Sequence, residues 1–282
     1  MTVEKMSQNN SKWLNVVWHL SILGKAQKQH FESILSPFFT DNINRKSLSF
    51  TFYFYKCSYT FKKNFFIFVA EMDVRHASMA QKVLLINAIA KHLAKDYKGS
   101  LLSESTEKKW SMAAKKPVPL SRTNLVASIF EAFHSLASPP NFILKDVNTK
   151  MGFRLDAEAV FTIDEQSSFA KPLGPIQEMA LLGREADNNV ESAKALPSDA
   201  HRIAVLILDY NECIFDVSSS STQHHGGARN LVKLSGSIST RKNLLETLGY
   251  KVLQINYDEL KGKKVLEQIK HLEGRVRKLL KE

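Results

Sequence analysis

Six consecutive apolar residues, Ile203–Leu208, closed off by Arg202 and Asp209, constrain this chain more than any other feature. A run this short, rich in β-branched side chains and without a polar break, predicts a strand buried on both faces. Such a strand needs neighbours on its edges and helices over its faces, so the C-terminal part predicts as an α/β layer structure. The residues that follow supply the pieces. Cys213–Val217 and Leu231–Leu234 are short strand candidates, with Ser218–Ser221 and Gly226–Gly227 as loop between them. Ser237 or Ser239 then caps a helix presenting Leu244, Leu245 and Leu248, which Gly249 ends in the left-handed conformation. Tyr250–Tyr257 alternates, with Leu253, Ile255 and Tyr257 on one side and Val252, Gln254 and Asn256 on the other. The chain closes on a helix whose stripe is Val265, Ile269, Leu272, Val276 and Leu279. Its other faces carry Lys263, Lys264, Lys270, Arg275, Arg277, Lys278 and Lys281. Strand, helix and strand in that order predict a mixed or parallel sheet.

Upstream the period is helical. Trp13, Leu14, Val17, Trp18 and Leu20 recur at three- and four-residue steps, and Gly24 breaks the stripe. Phe31, Ile34 and Leu35 start a second amphipathic helix that ends before Pro37, and two short helices joined by a tight turn are the unit of an α-helical repeat. Helical spacing returns from Ala77 to Leu93 and from Leu125 to Leu136, with Pro139 and Pro140 ending the latter. Lys108–Pro119 reads as a basic, proline-bearing linker, and residues 166–200, rich in Ser, Ala, Asp, Glu and Asn, read as a second one. Residues 47–69 stand apart, because ten of the residues from Phe50 to Phe68 are Phe or Tyr, interleaved with Lys56, Lys62 and Lys63. That interleave either stacks bases and holds phosphates, or is a β-prone insertion in the core, or is a segment that does not belong to the fold. The divisions expected are 1–75, helical, with the aromatic insertion near 44–70; 76–165, a second helical region; 166–200, linker; 201–262, α/β; and 263–282, the basic helix.

Charge narrows the partners. Of 282 residues, 39 are Lys or Arg and 28 Asp or Glu, a net +11 that favours a phosphate-rich partner through counterion release. Basic flanks surround an acidic middle: residues 1–120 carry 18 basic and 8 acidic side chains, 121–200 carry 7 and 11, and 201–282 carry 14 and 9. Cys57 and Cys213 have no Cys or His at zinc spacing and form no disulfide framework, which points to a reducing compartment. The polar start has no apolar signal core, and no stretch of eighteen uncharged apolar residues offers a membrane span.

Several segments carry a family resemblance. R-I-A-V-L-I-L-D (Arg202–Asp209), L-x-G (Leu234–Gly236), R-K-x-x-L-x-x-L-G-Y-K-V (Arg241–Val252) and I-N-Y-D-E-L (Ile255–Leu260) resemble a RAP domain, although Leu260 stands where many RAP domains carry tryptophan. L-N-V-V-W-H-L-S-I-L-G (Leu14–Gly24), H-F-E-S-I-L-S-P (His30–Pro37), D-Y-K-G-S-L-L-S (Asp96–Ser103) and G-F-R-L-D-A-E-A-V (Gly152–Val160) resemble the FAST-kinase-domain proteins. The resemblance implies an α-helical, repeat-like N-terminal region followed by a restriction-endonuclease-like α/β RAP domain. It also implies a mitochondrial matrix protein that binds single-stranded mitochondrial transcripts, supports their stability or processing, and meets other RNA-processing proteins. Members of the family are longer and begin with a presequence, so the chain is expected to be a C-terminal portion or a truncated gene product.

Kinase chemistry finds no residues to carry it. There is no G-x-G-x-x-G loop, no H-R-D, no D-F-G and no G-x-x-x-x-G-K-[ST]. Nuclease chemistry is the serious enzymatic alternative, because the fold that the resemblance implies holds Mg²⁺ between acidic residues on adjacent strands. Asp209 is then the first ligand candidate, Glu212 or Asp216 its partner, and Lys233 the helper of the attacking water. No Asp/Glu-x-Lys follows on a neighbouring strand, so no metal or other cofactor is expected unless the chain cleaves RNA. The third alternative is a scaffold that recruits a processing enzyme without touching RNA. For binding, Gly236-Ser-Ile-Ser-Thr-Arg-Lys sets Ser237, Ser239, Thr240, Arg241 and Lys242 at a helix start, with Arg229 and Lys233 upstream. Free N–H groups and the positive end of the helix dipole favour a phosphate there; otherwise the serines only cap and the cations are solvated. His224 and His225 lack a third ligand and read as loop. The terminal helix either packs its stripe on the sheet or lies on an anionic membrane.

Overall fold

The computed structural model describes residues 10–43, 62–113, 120–136, 143–163, 170–172, 199–208, 212–215, 231–260 and 262–282. The chain forms two compact units, one of residues 1–117 with 150–153 and one of residues 118–149 with 154–282.

The first unit is helical: α1 (Asn10–Ile22), α2 (Lys28–Leu35), α3 (Lys62–His92) and α4 (Glu104–Ala113), with a further helical segment over 37–43. α1 buries Trp13, Leu14, Val17 and Ser21 with Trp18 and Leu20 of the expected stripe half-buried, and α2 buries Phe31, Ile34 and Leu35 as its sequence predicts. The Trp13 indole N–H donates to Ser33 Oγ at 2.9 Å, tying the pair together. α1, α2 and α4 pack on α3. Asn87 of α3 is buried and works in both directions, donating to Glu107 Oε1 at 2.7 Å and accepting from the Leu102 N–H at 2.9 Å.

Two expectations change here. Residues 62–68 of the aromatic stretch belong to α3, which begins fifteen residues before the Ala77 stripe, so this part is helix and not a β-prone insertion; residues 44–61 lie outside the described residues. The linker expected from Lys108 is α4 as far as Ala113. Ser103 Oγ accepts the Thr106 N–H at 3.3 Å, and Glu104 and Glu107 occupy a first turn where their charge suits the helix dipole.

The second unit is a mixed sheet with helices. Its elements are α5 (Leu120–Leu136), β1 (Ile143–Asn148), β2 (Arg154–Ile163), β3 (Ala170–Pro172), β4 (His201–Leu208), β5 (Cys213–Phe215), β6 (Leu231–Leu234), α6 (Gly236–Thr247), β7 (Tyr250–Asn256), α7 (Tyr257–Leu260) and α8 (Val265–Lys281). The sheet runs β1-β2-β4-β7, with β3 on β2. β1 and β4 are antiparallel to β2, whereas β7 is parallel to β4 across the helical connection α6. β4 is central, and Ile203–Leu208 are all buried, as an unbroken apolar run demands. One face carries Ile143, Ala157, Ala159, Phe161, Ile203, Val205, Ile207, Leu253 and Ile255, covered by Val126, Ile129 and Phe133 of α5 and Leu272, Val276 and Leu280 of α8. Gly249, at φ +84°, turns α6 into β7.

The split between helices and a C-terminal α/β part holds, but the sheet begins earlier than expected. β1 and β2 lie inside 76–165, read as helical, and β3 lies inside the expected linker. Asp156 and Glu158 on β2 hid the strand, since acidic residues are depleted in strands. β5 and β6 form a separate two-stranded sheet instead of joining the main one. Tyr257 opens α7 and is not the last strand residue. The stripe of α8 is also displaced: Gln268, Leu272, Val276 and Leu280 are buried while Val265 is 56 % exposed.

Candidate nucleic-acid interface

The basic segment Gly236–Lys242 does fall at a helix start. β6 delivers the chain to Ser235, whose backbone N–H donates to the Glu212 carbonyl at 3.0 Å, and α6 begins at Gly236. Ser235, not Ser237 or Ser239, occupies the cap position, and it makes no side-chain cap bond. Ser237 and Ser239 are half-buried in the first turn. Thr240 is buried, and its hydroxyl donates to the Gly236 carbonyl at 2.9 Å. Arg241 Nη1 stands 3.8 Å from Glu212 Oε1, with both side chains partly buried, and Lys242 Nζ stands 3.6 Å from Glu246 Oε1 one turn on. The candidates therefore assemble on two turns of α6, but both cations already face a carboxylate.

That geometry couples two rival expectations. Glu212, the metal-ligand candidate, faces Arg241 and neutralises part of its charge. Lys233 sits opposite Ile214 in the β5–β6 pair. Asp209, Asp216, Arg229, His224 and His225 lie outside the described residues.

Sequence reasoning missed the carboxylates on β2. Asp156 and Glu158 are two residues apart and so share one face, opposite the one covered by α5 and α8. Both are buried. Asp156 Oδ2 accepts the Ile207 backbone N–H at 2.7 Å, continuing the β2–β4 contact past the last paired residues, and a Glu158 oxygen accepts the Tyr250 hydroxyl. The D-A-E spacing within Gly152–Val160 was the available signal, but it points to a site only once β2 is known to be a strand beside β4. Among the described residues no group of three or more His, Cys, Asp or Glu is placed to hold a metal ion.

At the other end of β2, Thr162 Oγ1 donates to Asp199 Oδ2 at 2.5 Å, a bond that lowers the Asp199 pKa. Burial lowers the pKa of His201, the nearby Lys251 ammonium lowers it further, and Asp199 opposes both. Lys251 itself donates to the Leu279 and Leu280 carbonyls at 2.9 and 3.3 Å, closing the end of α8.

Comparison with known proteins bears on the middle of the chain. Residues 80–169 match the family model of FAST kinase-like protein, subdomain 2. The matched FAST kinase-like span runs from α3 through α4 and α5 into β1 and β2, so it includes the helices and the first strands of the sheet. The similarity is to that subdomain and covers under half of the chain. No curated protein and no solved structure matches it.

Proposed function

We propose that the chain is an RNA-binding factor of the FAST kinase-like family, acting without catalysis on single-stranded mitochondrial transcripts in the matrix. Its C-terminal α/β part serves as a RAP module. The observation that carries the reading is the gathering of Ser237, Ser239, Arg241 and Lys242 on the leading turns of α6, in a chain of net charge +11. Arg241 and Lys242 supply the charge that a phosphodiester backbone seeks, and Arg229 and Lys233 precede them in the sequence. The Glu212 carboxylate competes with phosphate for Arg241, so binding is set by the difference between two ionic contacts.

The test is titration of labelled single-stranded RNA with the full chain at two salt concentrations, with and without Mg²⁺, followed by a check of RNA integrity. Salt-sensitive binding with intact RNA is expected. The double variant Arg241→Ala/Lys242→Ala should bind more weakly and with a shallower salt dependence, by about one unit of slope for each phosphate that is no longer neutralised. Unchanged affinity at every salt concentration removes α6 from the interface, and no binding at low salt removes the RNA reading in favour of a protein-recruiting scaffold.

One observation favours a second reading, cleavage of RNA with Mg²⁺. Asp156 is held against Ile207, two residues before Asp209, so a carboxylate of β2 lies beside the end of β4 that leads to the first ligand candidate. In that reading Asp209 and a partner carboxylate would hold the ion, which would polarise the phosphate and activate water. Loss of Mg²⁺-dependent cleavage in Asp209→Ala would support it, and RNA left intact by the wild-type chain would end it.

A further inference from the structure

The leading turn of α8 has a chemistry that RNA binding does not call for. Residues 262–267 are exposed one after another before Gln268 turns into the core. Within that run Val265 is 56 % and Leu266 63 % exposed. Val265 lies two turns before Leu272 and in line with the buried stripe, yet the core does not reach it. Leu266 lies one turn before Lys270 and beside it on the helix surface. Lys263, Lys264 and Lys270 are exposed around the two aliphatic side chains. Glu267 is the acidic residue of the turn, and its carboxylate accepts the Lys264 backbone N–H at 3.3 Å. Farther along the outward arc are Gly274 and Lys281. A Cβ at Gly274 would meet nothing within 4 Å, so packing inside the protein gives no reason for a glycine in mid-helix.

We propose that the exposed leading turn of α8, residues 262–267, rests on an anionic lipid bilayer as a peripheral contact, with Lys270 one turn on. Val265 and Leu266 enter the boundary between headgroups and acyl chains, while Lys263, Lys264 and Lys270 meet the lipid anions. Charge complementarity alone would suit RNA equally well. The aliphatic pair decides for the bilayer, because apolar side chains gain from insertion, whereas single-stranded RNA offers bases that stack on aromatic rings. The lysines draw the leading turn to a negative leaflet within about one Debye length, roughly 8–10 Å in ordinary salt. The contact is a surface one: among the described residues no helix is long and apolar enough to cross a membrane.

Co-sedimentation of the full chain with vesicles tests this, using phosphatidylcholine alone and phosphatidylcholine mixed with phosphatidylserine. Binding to the mixed vesicles only, weakened by salt, is expected. Lys263→Gln/Lys264→Gln/Lys270→Gln should lower partitioning by about a hundredfold. Val265→Ser/Leu266→Ser should lower it by about tenfold and leave single-stranded RNA affinity unchanged. Leu266→Phe should retain binding, and wild-type unfolding midpoints for all variants would show that the fold is intact. Failure to bind the mixed vesicles overturns the proposal, as does wild-type partitioning of the Val265/Leu266 variant. A lysine variant that loses RNA but keeps vesicles assigns the face to RNA and overturns it as well.

Discussion

Glu212 stands at the point where the binding and cleavage readings part. Its carboxylate faces Arg241 at 3.8 Å, so Glu212→Gln removes a negative charge that competes with phosphate. Under the binding reading, RNA affinity should rise a few-fold and its salt dependence steepen, measured by the same titration. Under the nuclease reading the same substitution removes a ligand candidate and lowers Mg²⁺-dependent cleavage. His201 and Asp199 give a second residue-scale prediction. His201 has a folded pKa below its ordinary 6.5, because burial and Lys251 disfavour the imidazolium. The unfolded chain therefore binds the proton more readily, so stability is full above pH 6.5 and falls as pH drops from there through the folded value. Asp199, lowered by the Thr162 bond, contributes stability above its ordinary 3.8 that is lost below it. Urea unfolding across pH should show His201→Gln flattening the slope below pH 6.5 and Asp199→Asn flattening it below pH 3.8.

Elements were legible where one chemical pattern dominates. β4 followed from six apolar residues, and the α6–Gly249–β7 turn from a glycine that now shows φ +84°. α4 and β2 were hidden for opposite reasons. Lys108 and Lys109 made a helix look like a linker, and two buried carboxylates kept a strand from standing out in a region read as helical. The two glycines of greatest consequence also behave oppositely. At Gly152, φ is +79° and an added Cβ would overlap the Gln81 carbonyl oxygen and lie 2.9 Å from Leu84 Cβ. Gly152→Ala should lower stability by about 1–3 kcal/mol from the backbone conformation alone, with the overlap adding to it. At Gly274 nothing lies within 4 Å, and Gly274→Ala should raise stability by about 0.5–1 kcal/mol. Denaturant midpoints at unchanged slope measure both.

For the molecule as a whole, α8 belongs to the core of the second unit and not to a tail. Leu272, Val276 and Leu280 are each at most 5 % exposed. Burying such side chains is worth about 1.5–3 kcal/mol apiece, comparable in sum with the 5–15 kcal/mol that holds an ordinary domain together. A chain ending at Gly262 should therefore lose the cooperative transition of the second unit, read by circular dichroism and urea titration. A sharp transition kept after truncation would return α8 to the status of an appended helix. Sequence by itself determined the period of each strongly patterned segment: the double-sided strand at Ile203–Leu208, the paired helices before Pro37, the glycine-ended helix before β7, and a charge balance suited to phosphate. Period is a local property, written in neighbouring residues. Tertiary structure alone decided that β2 pairs with β4, that Glu212 meets Arg241, that Asp156 reaches the Ile207 N–H, and that Val265 is left outside. Each of those depends on where a distant segment comes to rest, because a buried carboxylate, a paired cation and an exposed valine are set by their surroundings and not by their neighbours in the chain.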